Sequence, residues 1–145
     1  MSESYSAYND VNYDWLGSIP AHWQWLYLSQ VSDEQQVKNT GLAEKRVLSL
    51  SYGNIIRKAN VDSGLVPASY EIYQIVDVGN IIMRLTDLQN DHRSLRTGLV
   101  REKGIITSAY TCLKPRCNPA YLQLLLIPMT HKNISMGLAA VFANQ

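Results

Sequence analysis

The residues with the chemistry to read another molecule crowd into one stretch, from Met83 to Pro115. It holds Gln89, Asn90, Asp91, His92, Arg93 and Arg96 in a polar run between two apolar ones, Ile81–Met83 and 105–113. Amide and guanidinium groups can pair two hydrogen bonds at once with the edges of adenine and guanine. Polar excursions between strands are where recognition residues tend to sit, and they are equally often plain solvated loops. Both readings stay open on pattern alone.

Charge favours the first reading locally. The 145-residue chain has a formal net charge of only +1, too little for a strongly basic nucleic-acid binder. The total hides an asymmetry: five Lys/Arg against nine Asp/Glu in residues 1–83, and eight against three in residues 84–145. Most of that excess lies between Arg84 and Arg116, and a local field matters more for phosphate than the global sum. Arg93, Arg96, Arg101, Lys103 and Lys114 are the expected phosphate or guanine contacts, and Gln89 and Asn90 the expected adenine readers. Thr107, Ser108 and Tyr110 are candidate hydrogen-bond donors to a nucleic-acid backbone.

Catalytic arrangements are missing from the sequence. There is no Walker-type phosphate loop, no Gly-x-Gly-x-x-Gly after a strand and no Gly-x-Ser-x-Gly elbow. Asn118-Pro119 is followed by Ala120, so the Asn-Pro-Pro-aromatic motif of adenine methyltransferases is not there. His22, His92 and His131 are scattered. Cys112 and Cys117 with His92 and His131 lack the close ligand pairs of structural zinc, and Cys112 reads as a small buried hydrophobe. The chain reads as a binder rather than a catalyst, with no cofactor or metal of its own.

The elements that must position these residues follow from periodicity. With 46% hydrophobic and 17% charged residues the composition is globular, and no apolar run approaches the roughly 20 residues that span a bilayer. The polar start lacks the order of a secretory signal, so a cytoplasmic location is expected. Residues 1–12 are expected to be a flexible arm. A helical turn is expected near Pro20, then a strand over 25–28, a brief helix after it suggested by Leu28, Val31, Asp33 and Glu34, and a loop from Gln35 to Gly41. Further strands are expected at 47–52, 73–76 and 81–85, the last with Ile81, Met83 and Leu85 on one face and Ile82 and Arg84 on the other. A strand over 95–100 is interrupted by Gly98, and a long central strand runs from Ile105 to Leu113, closed by Pro115. Asn118 and Pro119 start a helix with Leu122, Leu125, Leu126 and Met129 at helical spacing, limited by Pro128. The sum is an α+β fold, a twisted, mainly antiparallel sheet with a few short helices, in one domain.

Two segments carry a family resemblance. Trp15-Leu-Gly-Ser-Ile-Pro-Ala-His-Trp23 closely resembles the Trp-Leu-Gly-x-Ile-Pro-x-His-Trp segment that opens target-recognition domains in the specificity subunits of type I restriction-modification enzymes. The run from Gly79 to Pro115, with Gly-Asn-Ile-Ile-Met-Arg-Leu, Gly-Ile-Ile-Thr-Ser-Ala-Tyr and Leu-Lys-Pro, is similar to that family's central pattern. The resemblance covers about Tyr13 to Met136.

It implies a single DNA target-recognition domain over residues 13–136, reading one half of a split site in double-stranded DNA. It also implies partners: modification subunits that use S-adenosylmethionine and a restriction subunit driven by ATP. Such domains are followed by a spacer helix. Here residues 137–145 form an atypical tail, Leu138-Ala-Ala-Val-Phe-Ala-Asn-Gln145 after Gly137. Codons for this tail can be chosen so that another frame spells Ser-Gly-Leu-Arg-Gln-Ser, so a frameshifted product truncated before the spacer is expected. Gene sequencing tests that expectation. The competing expectation is a remnant that does not bind DNA and acts as a self-association or protein-interaction module, a possible homodimer.

Overall fold

The structure, a computed structural model, describes residues 5–10, 17–58, 68–85, 95–131 and 139–143. Tyr8–Asp10 (β1) and Ser18–Pro20 (β2) form an antiparallel ribbon with Tyr8 opposite Pro20. Trp23–Tyr27 (β3) leads into a single helical turn, Leu28–Val31 (α1), and then Ser32–Gln35 (β4) and Val37–Lys38 (β5). A 3-10 turn at Thr40–Leu42 precedes Leu48–Ser51 (β6) and Asn54–Arg57 (β7). A second, Ala68–Ile72, precedes Gln74–Val76 (β8) and Ile81–Met83 (β9). Thr97–Leu99 (β10), Gly104–Ile106 (β11), Thr111–Pro115 (β12), the helix Pro119–His131 (α2) and Ala139–Ala143 (β13) complete the order.

The strands assemble as a six-stranded sheet in the order β4-β12-β9-β10-β7-β6, a three-stranded sheet β11-β8-β5, and the ribbons β1-β2 and β13-β3. Pairing is antiparallel except between β10 and β7 and at the bridge from Val47 to Ile105. This is the expected α+β, mainly antiparallel architecture.

β9 and β12 sit in the middle of the large sheet and divide the interior. Successive side chains of a strand point to opposite faces. Ile81 and Met83 therefore join Leu28, Val31, Leu113, Leu122 and Leu126 on one side, while Ile82 joins Leu48, Val76, Val100, Ile106 and Cys112 on the other. Ile81, Ile82 and Met83 are all fully buried. Each such side chain contributes roughly 1.5–3 kcal/mol by leaving water, so this three-residue strand anchors both hydrophobic cores.

α2 closes the first core. The Asn118 Oδ1 accepts the Tyr121 N–H at 3.1 Å, capping the helix, and Pro119 supplies a first position that needs no donor. Leu122 and Leu126, four apart, face inward.

Four local expectations need correction. The segment at Pro20 is the end of β2, not a helical turn, because Ser18–Pro20 is held extended by antiparallel pairing with Tyr8–Asp10. Gly98 lies in the middle of β10 without interrupting it; the space a Cβ would need is filled by Ile55 and Leu50, 2.8 Å away. The single strand expected from Ile105 to Leu113 is two, β11 and β12, which enter different sheets. Pro128 does not end α2, which runs on to His131. The proline withholds one donor, from the carbonyl of Leu124, and Leu124 stands on the solvent side at 67% exposure. One further segment is more ordered than expected: Tyr8–Asp10, within the arm, is a paired strand. Ala139–Ala143, within the tail, pairs with β3.

Candidate nucleic-acid interface

Lys103 precedes β11 and Lys114 lies on β12, in different sheets, yet both line one cleft of about 510 Å³. Its floor is the β8–β9 turn. The Asn80 Oδ1 accepts the Asp77 N–H at 2.8 Å and the Gln35 amide at 3.1 Å, and the Asp77 carboxylate accepts the Val78 N–H at 2.8 Å. Asp77, Pro115 and Pro119 complete the rim.

Two acids next to the lysines are engaged by arginines, while the Asp77 carboxylate shares the cleft. Lys114 faces Asp33 across the β12–β4 ladder, but Asp33 is bound by Arg116 at 2.8 Å. Glu102, beside Lys103, is held by Arg57 through two 2.8 Å hydrogen bonds and lies 3.6 Å from Arg46. The hydrogen bond from Arg57 holds the Glu102 carboxyl below the usual range, and the same bond raises the Arg57 guanidinium. Arg46 also donates to the Lys103 carbonyl at 3.2 Å, fixing the backbone there. Among the described residues neither Lys103 nor Lys114 makes an ion pair, so two exposed ammonium groups converge on one concave surface. Such a surface suits a polyanion.

The other expected contacts divide. Arg101 lines a separate cleft of about 490 Å³ between β7 and α2, with Ile56, Leu99, Leu124 and Ile127. Thr107, Ser108 and Tyr110 form the turn between β11 and β12. There Gln74 donates to the Thr107 carbonyl at 3.1 Å and to the Tyr110 carbonyl at 2.8 Å. The Ser108 hydroxyl donates to the Ile72 carbonyl, so its proton is spent within the fold, contrary to its expected role as a donor outward. The Thr107 hydroxyl accepts the Ala109 N–H at 3.3 Å, and Tyr110 packs against the second core.

Arg96 is the clearest departure. It is 2% exposed and among the largest fully buried side chains, so the expected phosphate or guanine contact is overturned for it. Gln89, Asn90 and Arg93 lie outside the described residues.

Sequence reasoning missed the buried amides that build this region. Gln74 braces the β11–β12 turn. Asn39, fully buried, bonds the Glu44 and Tyr70 carbonyls at 2.9 and 3.2 Å and the Glu44 N–H at 2.9 Å. Neither position carries a local signal; each is defined by distant partners. Burial raises the Cys112 thiol to about 11. Among the described residues no three His, Cys, Asp or Glu side chains cluster as metal ligands, and no helix is long and apolar enough to cross a membrane.

The α+β domain with its strand-rich body is similar in fold to solved structures. The chain has the fold of a part of HsdS specificity subunits of type I restriction-modification systems. It superposes on the HsdS subunit from Thermoanaerobacter tengcongensis with a TM-score of 0.51 at 13% identity, over 93% of this chain and 35% of that one. A chain from a structure describing complex assembly and conformational transition of the type I R-M system gives a TM-score of 0.52 at 12% identity, over 86% of this chain and 35% of that one. The chain thus spans about a third of the length of each solved structure. No protein-family model matches the sequence, and no curated protein matches it.

Proposed function

We propose that this chain is a DNA target-recognition domain, reading one half of a split site for a type I restriction-modification complex. The observation that carries the reading is fold likeness to an HsdS subunit over 93% of the chain. The lysine-lined cleft supports it. In this reading residues 13–136 are the recognition unit. Lys103 and Lys114 hold phosphates, Gln89, Asn90 and Arg93 read base edges, and Arg101, Thr107 and Tyr110 are peripheral contacts. The chain is not itself an enzyme: methyl transfer and cleavage belong to modification and restriction subunits, which it directs to the site in the cytoplasm.

The test is anisotropy of labelled duplexes over a salt series. Each phosphate contact contributes about 0.9 to the slope of log affinity against log salt. Lys103→Ala with Lys114→Ala should therefore flatten the slope by about 2 and weaken binding to all sequences alike. Gln89→Ala with Asn90→Ala should instead relax sequence preference with the slope kept. A slope that does not change in the double lysine variant removes the cleft from the interface.

A second reading, self-association, is favoured by one observation: the β3–β13 ribbon contains no charged residue.

A further inference from the structure

We propose that Arg46 and Glu102 are positioning residues for Lys103, forming with Arg57 a clasp that fixes where its ammonium group meets a phosphate. The proposal rests on the DNA reading and adds three side chains to it, two of them from the acid-rich first half of the chain.

Lys103 ends a four-residue connection, residues 100–103, between β10 of the six-stranded sheet and β11 of the three-stranded one. Main chain anchors both ends. At the start, the Val100 N–H donates to the Asn80 carbonyl at 2.8 Å, and the Val100 carbonyl accepts the Gly79 N–H at 2.9 Å, which ties the connection to the turn flooring the cleft. At the end, the Ile105 N–H donates to the Arg46 carbonyl at 2.8 Å, and a Cβ at Gly104 would lie 2.7 Å from that same oxygen. Between these anchors Arg101 and Lys103 are exposed.

Side chains hold the middle. The Arg46 Nη1 donates to the Lys103 carbonyl at 3.2 Å and lies 3.6 Å from the Glu102 carboxylate. Arg57, on β7, closes on Glu102 with two 2.8 Å hydrogen bonds, a bidentate fork that sets orientation as well as distance. The three side chains stand partly in solvent, where ion pairs add little to stability. What they fix is geometry. A lysine carries its charge on a flexible four-carbon stem. With the preceding side chain and its own carbonyl both held, only that stem remains to be ordered when a phosphate arrives, which lowers the cost of binding. Lys114, the other ammonium group of the cleft, is placed by the β12–β4 ladder, opposite Asp33. Lys103 lies just outside β11, and the clasp does for it what the ladder does for Lys114.

A direct role for the arginines predicts the opposite sign. If Arg46 and Arg57 themselves touched phosphates, Glu102 would compete with DNA for them, and removing it would free two cations and strengthen binding.

Anisotropy of labelled mixed-sequence duplexes with the intact chain, over a salt series, separates the two. Lys103→Ala sets the reference, a slope flatter by about 0.9. Glu102→Ala makes the chain one unit more positive, yet it should flatten the slope by up to about 0.9 and weaken binding several-fold. Added to Lys103→Ala it should change little more, because both act through one contact; a folding defect would lower binding in either background. A slope that Glu102→Ala steepens or leaves unchanged while Lys103→Ala flattens it, or a full further loss in the double variant, overturns the clasp and leaves the DNA reading standing. A Lys103→Ala slope equal to wild type overturns the DNA role of the cleft and the clasp with it.

Discussion

Replacing Gln74 with methionine isolates the interaction that shapes the turn carrying Thr107, Ser108 and Tyr110. Methionine is similar in length and volume, so the change removes two hydrogen bonds with little effect on packing. Gln74 is 1% exposed, and its amide reaches carbonyls 33 and 36 residues away, at 3.1 and 2.8 Å. A lost hydrogen bond costs about 1 kcal/mol when the orphaned carbonyl regains water, and about 3 kcal/mol when it stays dry. Thr107 and Tyr110 are half-buried, so each carbonyl falls between these limits. The expected loss is about 2–6 kcal/mol, a large share of a stability of roughly 5–15 kcal/mol. Urea unfolding followed by tryptophan fluorescence should show a lower midpoint with an unchanged slope. A loss under about 0.5 kcal/mol would show that these contacts do not hold the turn, and the account of why residues 104–115 break into two strands would fall with it.

Two further changes probe the interior. A Cβ at Gly104 would lie 2.7 Å from the Arg46 carbonyl and from Leu48, so Gly104→Ala must push backbone and core apart; a loss of about 2–3 kcal/mol is expected in the same denaturation assay. Cys112, raised to about 11 by burial, is a protonated thiol at neutral pH, and only the thiolate is nucleophilic. A short iodoacetamide pulse on the folded protein, read by mass spectrometry, should therefore label the half-buried Cys117 ahead of Cys112, whose labelling should accelerate only as pH climbs toward 11.

What the sequence made legible was local and periodic. The two faces of β9 follow from the alternation of Ile81, Ile82 and Met83, and the start of α2 follows from Asn118 and Pro119, because both signals act over a few residues. What stayed hidden was set by distant partners. Thr107 to Tyr110 contains no glycine or proline and reads as strand; it turns because Gln74 holds two of its carbonyls from another strand. Arg96 reads as a surface cation because arginines usually are, and nothing next to it in sequence announces a buried guanidinium. The gathering of Lys103 and Lys114 was half legible: clustered charge pointed to the region. That these two share a cleft while Arg101 lines another depends on which sheet each strand joins.

The wall formed by β9 and β12 has a mechanical implication. Since neighbouring residues along it belong to different compartments, slipping the pairing by a single position would exchange Ile81, Met83 and Leu113 with Ile82 and Cys112 between the two interiors. Intermediate registers are therefore closed to it. The lysine cleft takes its lining from β12 and from Pro119 at the start of α2, so whatever grips the cleft also orients the helix.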